Sequence, residues 1–287
     1  MSEGAPRVRF RAGSRGLSRW LYYASSFPAV LLRMRRRGDI LRLLLGLPVR
    51  RPLEIRLDSG ARFGVSKRMD VWIIKESCLD RVYDRGTDFE DGWTIVDIGA
   101  GLGDFAIHAA LRRPRATVYA LEPLPESFAQ LEENIRLNAL TNVRAVREAI
   151  AGSEGAVSLH TVTGLSGQHR TAGSGAMRTI VAPISVAATT LSGAFERFGI
   201  ARCDFLKIDC EGAEYEILLG LSGETLARIA RIALEYHDNM TAHTHDELVR
   251  FLQARGFTVR TRPSPAWHEL GFLYAVNPGL VASQRTT

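Results

Sequence analysis

The sequence predicts an α/β fold: a seven-stranded, doubly wound sheet, largely parallel, with an antiparallel last strand and an N-terminal helical and hairpin extension. Three observations carry this prediction. Beyond Gly92, short β-branched runs alternate with longer segments of helical period, the pattern of strands joined by helical crossovers. A glycine-rich turn, Gly99-Ala100-Gly101-Leu102-Gly103, stands where the first of these runs gives way to the first helix. The last two runs have no helix between them, so they pair antiparallel, because parallel neighbours need a long crossover.

Taken in order, residues 1–16 are rich in Arg, Gly and Ser with no apolar period, a composition that favours no fixed structure. Between Leu17 and Leu47, Trp20, Tyr23, Phe27, Val30, Leu31 and Met34 recur at helical spacing, interrupted at Pro28 and at Arg35-Arg36-Arg37-Gly38. This reads as two basic amphipathic helices, which could lie on a membrane surface but are expected rather to pack against the main domain or a second subunit. Residues 53–57 alternate apolar and polar side chains, turn at Asp58-Ser59-Gly60 and resume through Phe63 and Val65 as a hairpin, after which residues 70–83 read as a helix. The main sheet follows, with strands over residues 94–98, 117–121, 143–146, 205–208, 229–235, 258–261 and 272–276. Helices are expected over 105–111 and 127–138, from Tyr215, and over 246–255. The chain thus divides into a basic arm (1–51), a hairpin and helix (52–91), the main domain (92–278) and a tail (279–287). Seven strands with an antiparallel end match the architecture of class I methyltransferases, whereas a dinucleotide dehydrogenase has six parallel strands.

Composition bounds the function. With 46% hydrophobic and 24% charged residues, the 287-residue chain can build a core, which excludes a disordered tail protein. The longest nearly uncharged stretch near the N-terminus, residues 20–32, contains Pro28 and falls short of the roughly 20 apolar residues of a spanning helix. Neither a transmembrane span nor a secretory signal is expected, and the chain reads as cytoplasmic. Cys78, Cys203 and Cys210 are odd in number and widely spaced, so reduced packing residues are expected in place of disulfides or structural zinc. The net charge of +6 is uneven: residues 1–51 hold twelve arginines, no lysine and two acids, net +10, leaving −4 for the remainder. Such an arm can meet anionic lipid, nucleic acid or an acidic substrate surface, or simply be a solvated face, the expected reading.

The turn after the first sheet strand is informative in its spacing. A dinucleotide fingerprint places its third glycine at position 104, which is Asp104. Gly99, Gly101 and Gly103 instead follow Asp97, an arrangement suited to S-adenosylmethionine, with Asp97 expected to attract the methionyl ammonium. Glu122 ends the second sheet strand, where an acid accepts hydrogen bonds from both ribose hydroxyls. Glu148 and Ala149, after the third, are expected near the adenine.

A second motif, Lys207-Ile208-Asp209-Cys210-Glu211-Gly212-Ala213-Glu214, sets carboxylates at the end of the fourth sheet strand, facing the crevice where open sheets bind ligands. Together with Asp97 to Gly103, Glu122 and the run Leu234-Glu235-Tyr236-His237, it resembles the FkbM family of S-adenosylmethionine-dependent methyltransferases. The likeness covers residues 53–277 and leaves out the arginine-rich arm. The resemblance implies O-methyl transfer to a hydroxyl of a sugar, in a polysaccharide or glycolipid, or of a natural product.

An alcohol attacks a methyl sulfonium in line and needs a base within hydrogen-bond reach. His237 or Glu211 is the expected base and Asp209 a positioning group. Lys207 alternates to the side of Asp209, as an ion-pair partner orienting the acids or with a direct role, and Glu214 reads as an acid favoured at a helix N-terminus. Asp209, Glu211 and His237 have the donor chemistry for a hard divalent ion, but their spacing does not require one and no metal is expected. Residues 164–175, with His169 and Arg170, suit a loop over the acceptor or a plain insert. The competing readings are a nucleic-acid methyltransferase and a non-catalytic S-adenosylmethionine-binding module. An acidic crevice is a poor host for a phosphate backbone, and a retired site has no chemical reason to keep every acid named here.

Overall fold

The computed structural model describes residues 16–50, 53–159, 183–264, 267 and 269–284. The amphipathic N-terminal segment folds into α1 (Gly16–Arg33) and α2 (Arg37–Leu44). The expected interruption at Pro28 does not break α1, which carries the proline on its exposed side, with Ala24 one turn before it exposed as well. The break falls at the other expected interruption, at Arg36, whose φ of 66° is left-handed. The hairpin pairs β1 (Leu53–Arg56) with β2 (Arg62–Val65), and α3 (Arg68–Ile74) widens into a π turn at Lys75–Leu79. The helix expected over 70–83 therefore ends early, and Val82 and Tyr83 belong to a buried turn leading back to the sheet. Val30, Met34, Ile40 and Leu43 pack on Leu53, Ile55 and Phe63 of the hairpin and on Val71 and Ile74, which makes the N-terminal helices part of one folded body.

The main sheet is built from β3 (Thr94–Ile98), β4 (Thr117–Leu121), β5 (Val143–Val146), β9 (Phe205–Ile208), β10 (Arg231–His237), β11 (Thr258–Pro263) and β12 (Leu270–Val276). Its order is β11-β12-β10-β9-β3-β4-β5, with β12 antiparallel to both of its neighbours, as the missing crossover requires. Helices α4 (Asp104–Arg112), α5 (Pro125–Leu137), α7 (Glu214–Leu219) and α9 (His245–Gln253) connect its strands. The strands are apolar on both faces because both are covered. Val96, Ile98, Leu206, Ile208, Ile232 and Leu234 fill one side, and Ile95, Phe205 and Ala233 join Phe89 and Phe105 on the other.

The structure adds elements that the sequence did not announce. Between the third and fourth strands of the main sheet, residues assigned no strand from the sequence form a second, three-stranded sheet from β6 (Ala149–Ile150), β7 (Gly155–Leu159) and β8 (Ile184–Thr189), and short helices α6 (Leu191–Phe198), α8 (Gly223–Ala227) and α10 (Pro278–Gln284) complete the chain. The segment 164–175 expected near the acceptor lies outside the described residues. Among the described residues no helix is long and apolar enough to cross a membrane. Buried Asn134 of α5 ties the hairpin to the glycine turn: its Oδ1 accepts from the Gly64 N–H at 2.7 Å and its Nδ2 donates to the Leu102 carbonyl at 2.9 Å.

Candidate active site

Every strand that the main sheet runs in parallel delivers its carboxyl end to one edge, and the candidate residues gather there. At the end of β3 the chain turns through Gly99, whose φ is 71°. A Cβ on Gly99 would stand 1.9 Å from the backbone oxygen of Asp209, so only glycine lets the turn approach the end of β9 this closely. Gly101 is different: a Cβ there would meet nothing within 4 Å, and the space beside it is open. Glu122, at the end of β4, accepts from the Gly101 N–H at 2.8 Å and from the Leu124 N–H at 2.9 Å, one bond to each carboxylate oxygen.

Asp97 lies beneath this turn, fully buried, with Lys207 Nζ 2.9 Å from its Oδ1. The cation beside Asp97 in the structure is thus a lysine of the adjacent strand β9. Asp97 and Lys207 are register partners in adjacent strands, and Lys207 Nζ also donates to the Gly99 carbonyl at 2.8 Å. Burial opposes the Lys207 charge, but Asp97, Asp209 and Asp104 around it outweigh burial and keep its ammonium protonated. Of the two roles open to Lys207, ion-pair partner is the one its geometry shows.

Alternation places Asp97, Lys207, Glu235 and His237 on one face of the sheet, with Asp209 at its rim. Tyr83 donates to Asp209 Oδ2 at 2.9 Å, and its oxygen also lies 3.5 Å from Glu235 Oε2. Glu211 adopts a left-handed φ of 55°, uncommon for a residue with a side chain, and its Oε2 is 3.6 Å from His237 Nε2. The other ring nitrogen, Nδ1, pairs with Oε1 of fully buried Glu214 at 2.8 Å. Glu214 Oε2 accepts from the Gly212 N–H at 2.8 Å, so this acid holds both the imidazole and the turn that carries Glu211. Its expected task at the helix N-terminus is joined by this contact with the histidine. Capping of the next helix falls to Asp238, which accepts from the His245 N–H at 2.8 Å.

Electrostatics follow the crowding of acids. Burial raises Glu235 to about 8, with Asp209 adding to the effect and His237 opposing it. Burial likewise lifts Glu211 well above the usual carboxylate range. For His237, burial disfavours the cation, but the bond to Glu214 and the charges of Glu214, Glu211 and Glu235 raise it well above the ordinary 6.5. Asp209, Glu211 and His237 offer ligand atoms that all lie within 4.8 Å of one another. Glu235 and Tyr83 were not singled out from the sequence. Glu235 stands two residues before His237 on a strand and therefore shares its face, a signal that was available, whereas Tyr83 reaches the site only through the turn that follows the π segment.

Glu148 pairs with both terminal nitrogens of Arg197, and Ala149 is buried in β6. On the other side, Phe272, register partner of Glu235, also lines an open cleft that includes Tyr22, Glu76, Arg85, Arg262 and Trp267.

The profile of the family described as Methyltransferase FkbM domain matches residues 97–259, from the buried aspartate to β11. The chain belongs to the FkbM methyltransferase family. It is 30% identical over 248 residues, covering 74% of this chain and 91% of the relative, to the 31-O-demethyl-FK506 methyltransferase FkbM of Streptomyces tacrolimicus. It is 29% identical over 270 residues to the AMB antimetabolite synthetase AmbE of Pseudomonas aeruginosa, covering 80% of this chain but 13% of that protein, so the likeness is to a segment of AmbE. The hexuronic acid methyltransferase AglP of Haloferax volcanii is 28% identical over 185 residues, 62% of this chain and 71% of that one.

An FkbM methyltransferase uses S-adenosylmethionine, and the residues present fit that group. The open space at Gly101 admits a ligand against the turn, and both Glu122 oxygens keep a lone pair free after their backbone bonds, enough to accept from a pair of hydroxyls.

Proposed function

We propose that this FkbM methyltransferase methylates a hydroxyl oxygen of a glycan or natural-product acceptor, with His237 as the general base. The observation that carries the reading is the Glu214–His237 pair at 2.8 Å, with Nε2 on the side of Glu211, whose Oε2 is 3.6 Å away. When bound, S-adenosylmethionine supplies a methyl carbon on a sulfonium sulfur open to in-line attack. His237 Nε2 takes the hydroxyl proton as the oxygen attacks, and Glu214 accepts the Nδ1–H, fixing the tautomer and stabilising the imidazolium that forms. Tyr83 holds Asp209 at the rim, where a carboxylate can accept from a neighbouring acceptor hydroxyl. The cleft beside Glu235 suits the rest of the acceptor, since aromatic faces pack on sugar rings or apolar scaffolds and Arg85 and Arg262 attract anionic substituents. One relative is named for an O-demethyl position and another for hexuronic acid, which supports both acceptor classes.

The test is transfer of labelled methyl into fractionated extract, followed by mild alkali. A hydroxyl acceptor gives an ether that survives; label released by alkali would be a carboxylate ester, and the reading would fall. The close grouping of Asp209, Glu211 and His237 favours one second reading, a divalent cation that polarises the hydroxyl. Activity lost in EDTA and restored by Mg²⁺ would select it, whereas unchanged activity leaves the base acting alone.

A further inference from the structure

We infer that the outer face of α1 and α2 docks on an anionic lipid bilayer. Among the described residues six large hydrophobic side chains are exposed, and four of them, Leu32, Leu41, Leu45 and Leu47, stand within one short segment. Leu32 and Leu45 are 65% and 63% exposed, values that a helix packed on its own protein does not require. Leu41 of α2 and Leu45, its C-cap, lie one turn apart, while Ile40 and Leu43 of the helix are buried against the hairpin. α2 therefore has two apolar sides, and only one of them is used.

Arginines surround these leucines. Arg33, Arg35, Arg36, Arg37, Arg42 and Arg50 are all exposed, and the single acid of the segment, Asp39, is paired with Arg36. Arg33, Arg35 and Arg50 make no ion pair among the described residues. Exposed leucine interspersed with exposed arginine along one short segment matches a bilayer interface, where the leucines enter the acyl boundary and the guanidinium groups meet phosphates. A nucleic acid would use the arginines and leave the leucines in water. A second copy placed face to face would set arginine against arginine. The rest of the chain, net −4, is repelled by such a surface, so the charge distribution also orients the molecule.

The segment is rigid enough to serve as a platform. Tyr22 donates to Glu76 at 2.7 Å, buried Lys75 donates to Ser26 at 2.8 Å, and Val30 and Met34 are buried, so α1 is bonded and packed to the catalytic body. Tyr22 also lines the cleft, and about 15 Å of helix separates it from Leu32. Docking would thus set the cleft at a fixed height above the lipid, but the surface is readable without any turnover and does not depend on which acceptor is methylated.

The experiment is flotation of the full chain with phosphatidylcholine vesicles and with vesicles that also contain phosphatidylglycerol. Binding to the anionic vesicles alone, weakened by salt, is expected. Leu41→Gln with Leu45→Gln should lower partition roughly tenfold or more, and Arg33→Ser or Arg35→Ser roughly fivefold each. Calorimetry with S-adenosylhomocysteine, unchanged in these variants, shows that they fold. Equal partition into both vesicle types, or no partition, would overturn the proposal. So would an RNA duplex or a self-dimer whose binding is abolished by the same leucine substitutions while the vesicles are ignored.

Discussion

Lys207 and Asp97 form a buried ion pair across adjacent strands, Nζ to Oδ1 at 2.9 Å, and the same ammonium holds the Gly99 carbonyl at 2.8 Å. The pair couples the end of β9 to the glycine turn at the end of β3. Lys207→Met leaves the Asp97 carboxylate without its cation, at a cost of about 3–5 kcal/mol. Adding Asp97→Asn removes the stranded charge and should restore most of the stability, but not the affinity for S-adenosylhomocysteine, since Gly99 stays untethered. Denaturant midpoints and calorimetry on both variants check this. A single variant as stable as the wild type would mean that the pair does not hold the turn.

The Glu214–His237 pair predicts how the rate depends on pH. The base acts only when deprotonated, so kcat/KM should rise with pH and level off above a value higher than 6.5, because Glu214, Glu211 and Glu235 together outweigh burial and raise His237. His237→Ala should lower kcat by about 10²–10⁴-fold with cofactor affinity unchanged. Glu214→Gln removes the largest raising contribution, so the rising limb should move to lower pH while kcat falls. A limb that stays in place would assign the titration to another group.

Much of this was legible in residues and some was not. Val96, Ile98, Leu206 and Ile208 announce strands buried on both sides, and the glycine spacing after Asp97 announces the turn. Asp209, Glu211 and His237 could be brought to one crevice because all three follow strands of a parallel sheet, whose carboxyl ends share an edge. The Glu214–His237 contact was not legible, since 23 residues separate the partners and only the packing of α7 beside the end of β10 joins them. Nor was the burial of Asp97: an acid before a glycine turn looks the same in sequence whether it faces a ligand or, as here, a lysine from the next strand. The second sheet escaped notice because β6 has two residues and β7 is largely exposed, so neither shows an apolar run.

Asp104 opens α4 and is buried, accepting a hydrogen bond from the Ser77 hydroxyl. Burial raises it from 3.8 to about 7, and Asp97 adds to this, while Lys207 and Ser77 oppose it. The folded chain therefore binds this proton more tightly than the unfolded chain. The resulting stability is fully present below about pH 4 and is lost as pH rises through about 7. Asp104→Asn, neutral throughout, should be more stable than the wild type by about 1–3 kcal/mol near pH 8.5, with the gain vanishing near pH 4. Tyr83, Cys78, Lys207 and Asp97 also face this group, so urea midpoints for the two proteins should be compared at each pH. A constant difference between them would show that Asp104 stays ionised in both states.

Gly99 and Gly101 should respond differently to the same substitution. Both have positive φ, 71° and 53°, so alanine costs about 1–2 kcal/mol of backbone strain at either. At Gly99 the added methyl also meets the Asp209 carbonyl, backbone that cannot swing aside, so Gly99→Ala should destabilise the fold well beyond that strain and separate the turn from β9. At Gly101 the methyl enters open space, so Gly101→Ala should keep a near-normal denaturant midpoint after the strain is counted. Its cost should appear on binding, as a loss of at least roughly tenfold in S-adenosylhomocysteine affinity, because the methyl occupies room that the ligand needs. Equal binding by Gly101→Ala and the wild type would mean that the ligand does not lie against this part of the turn.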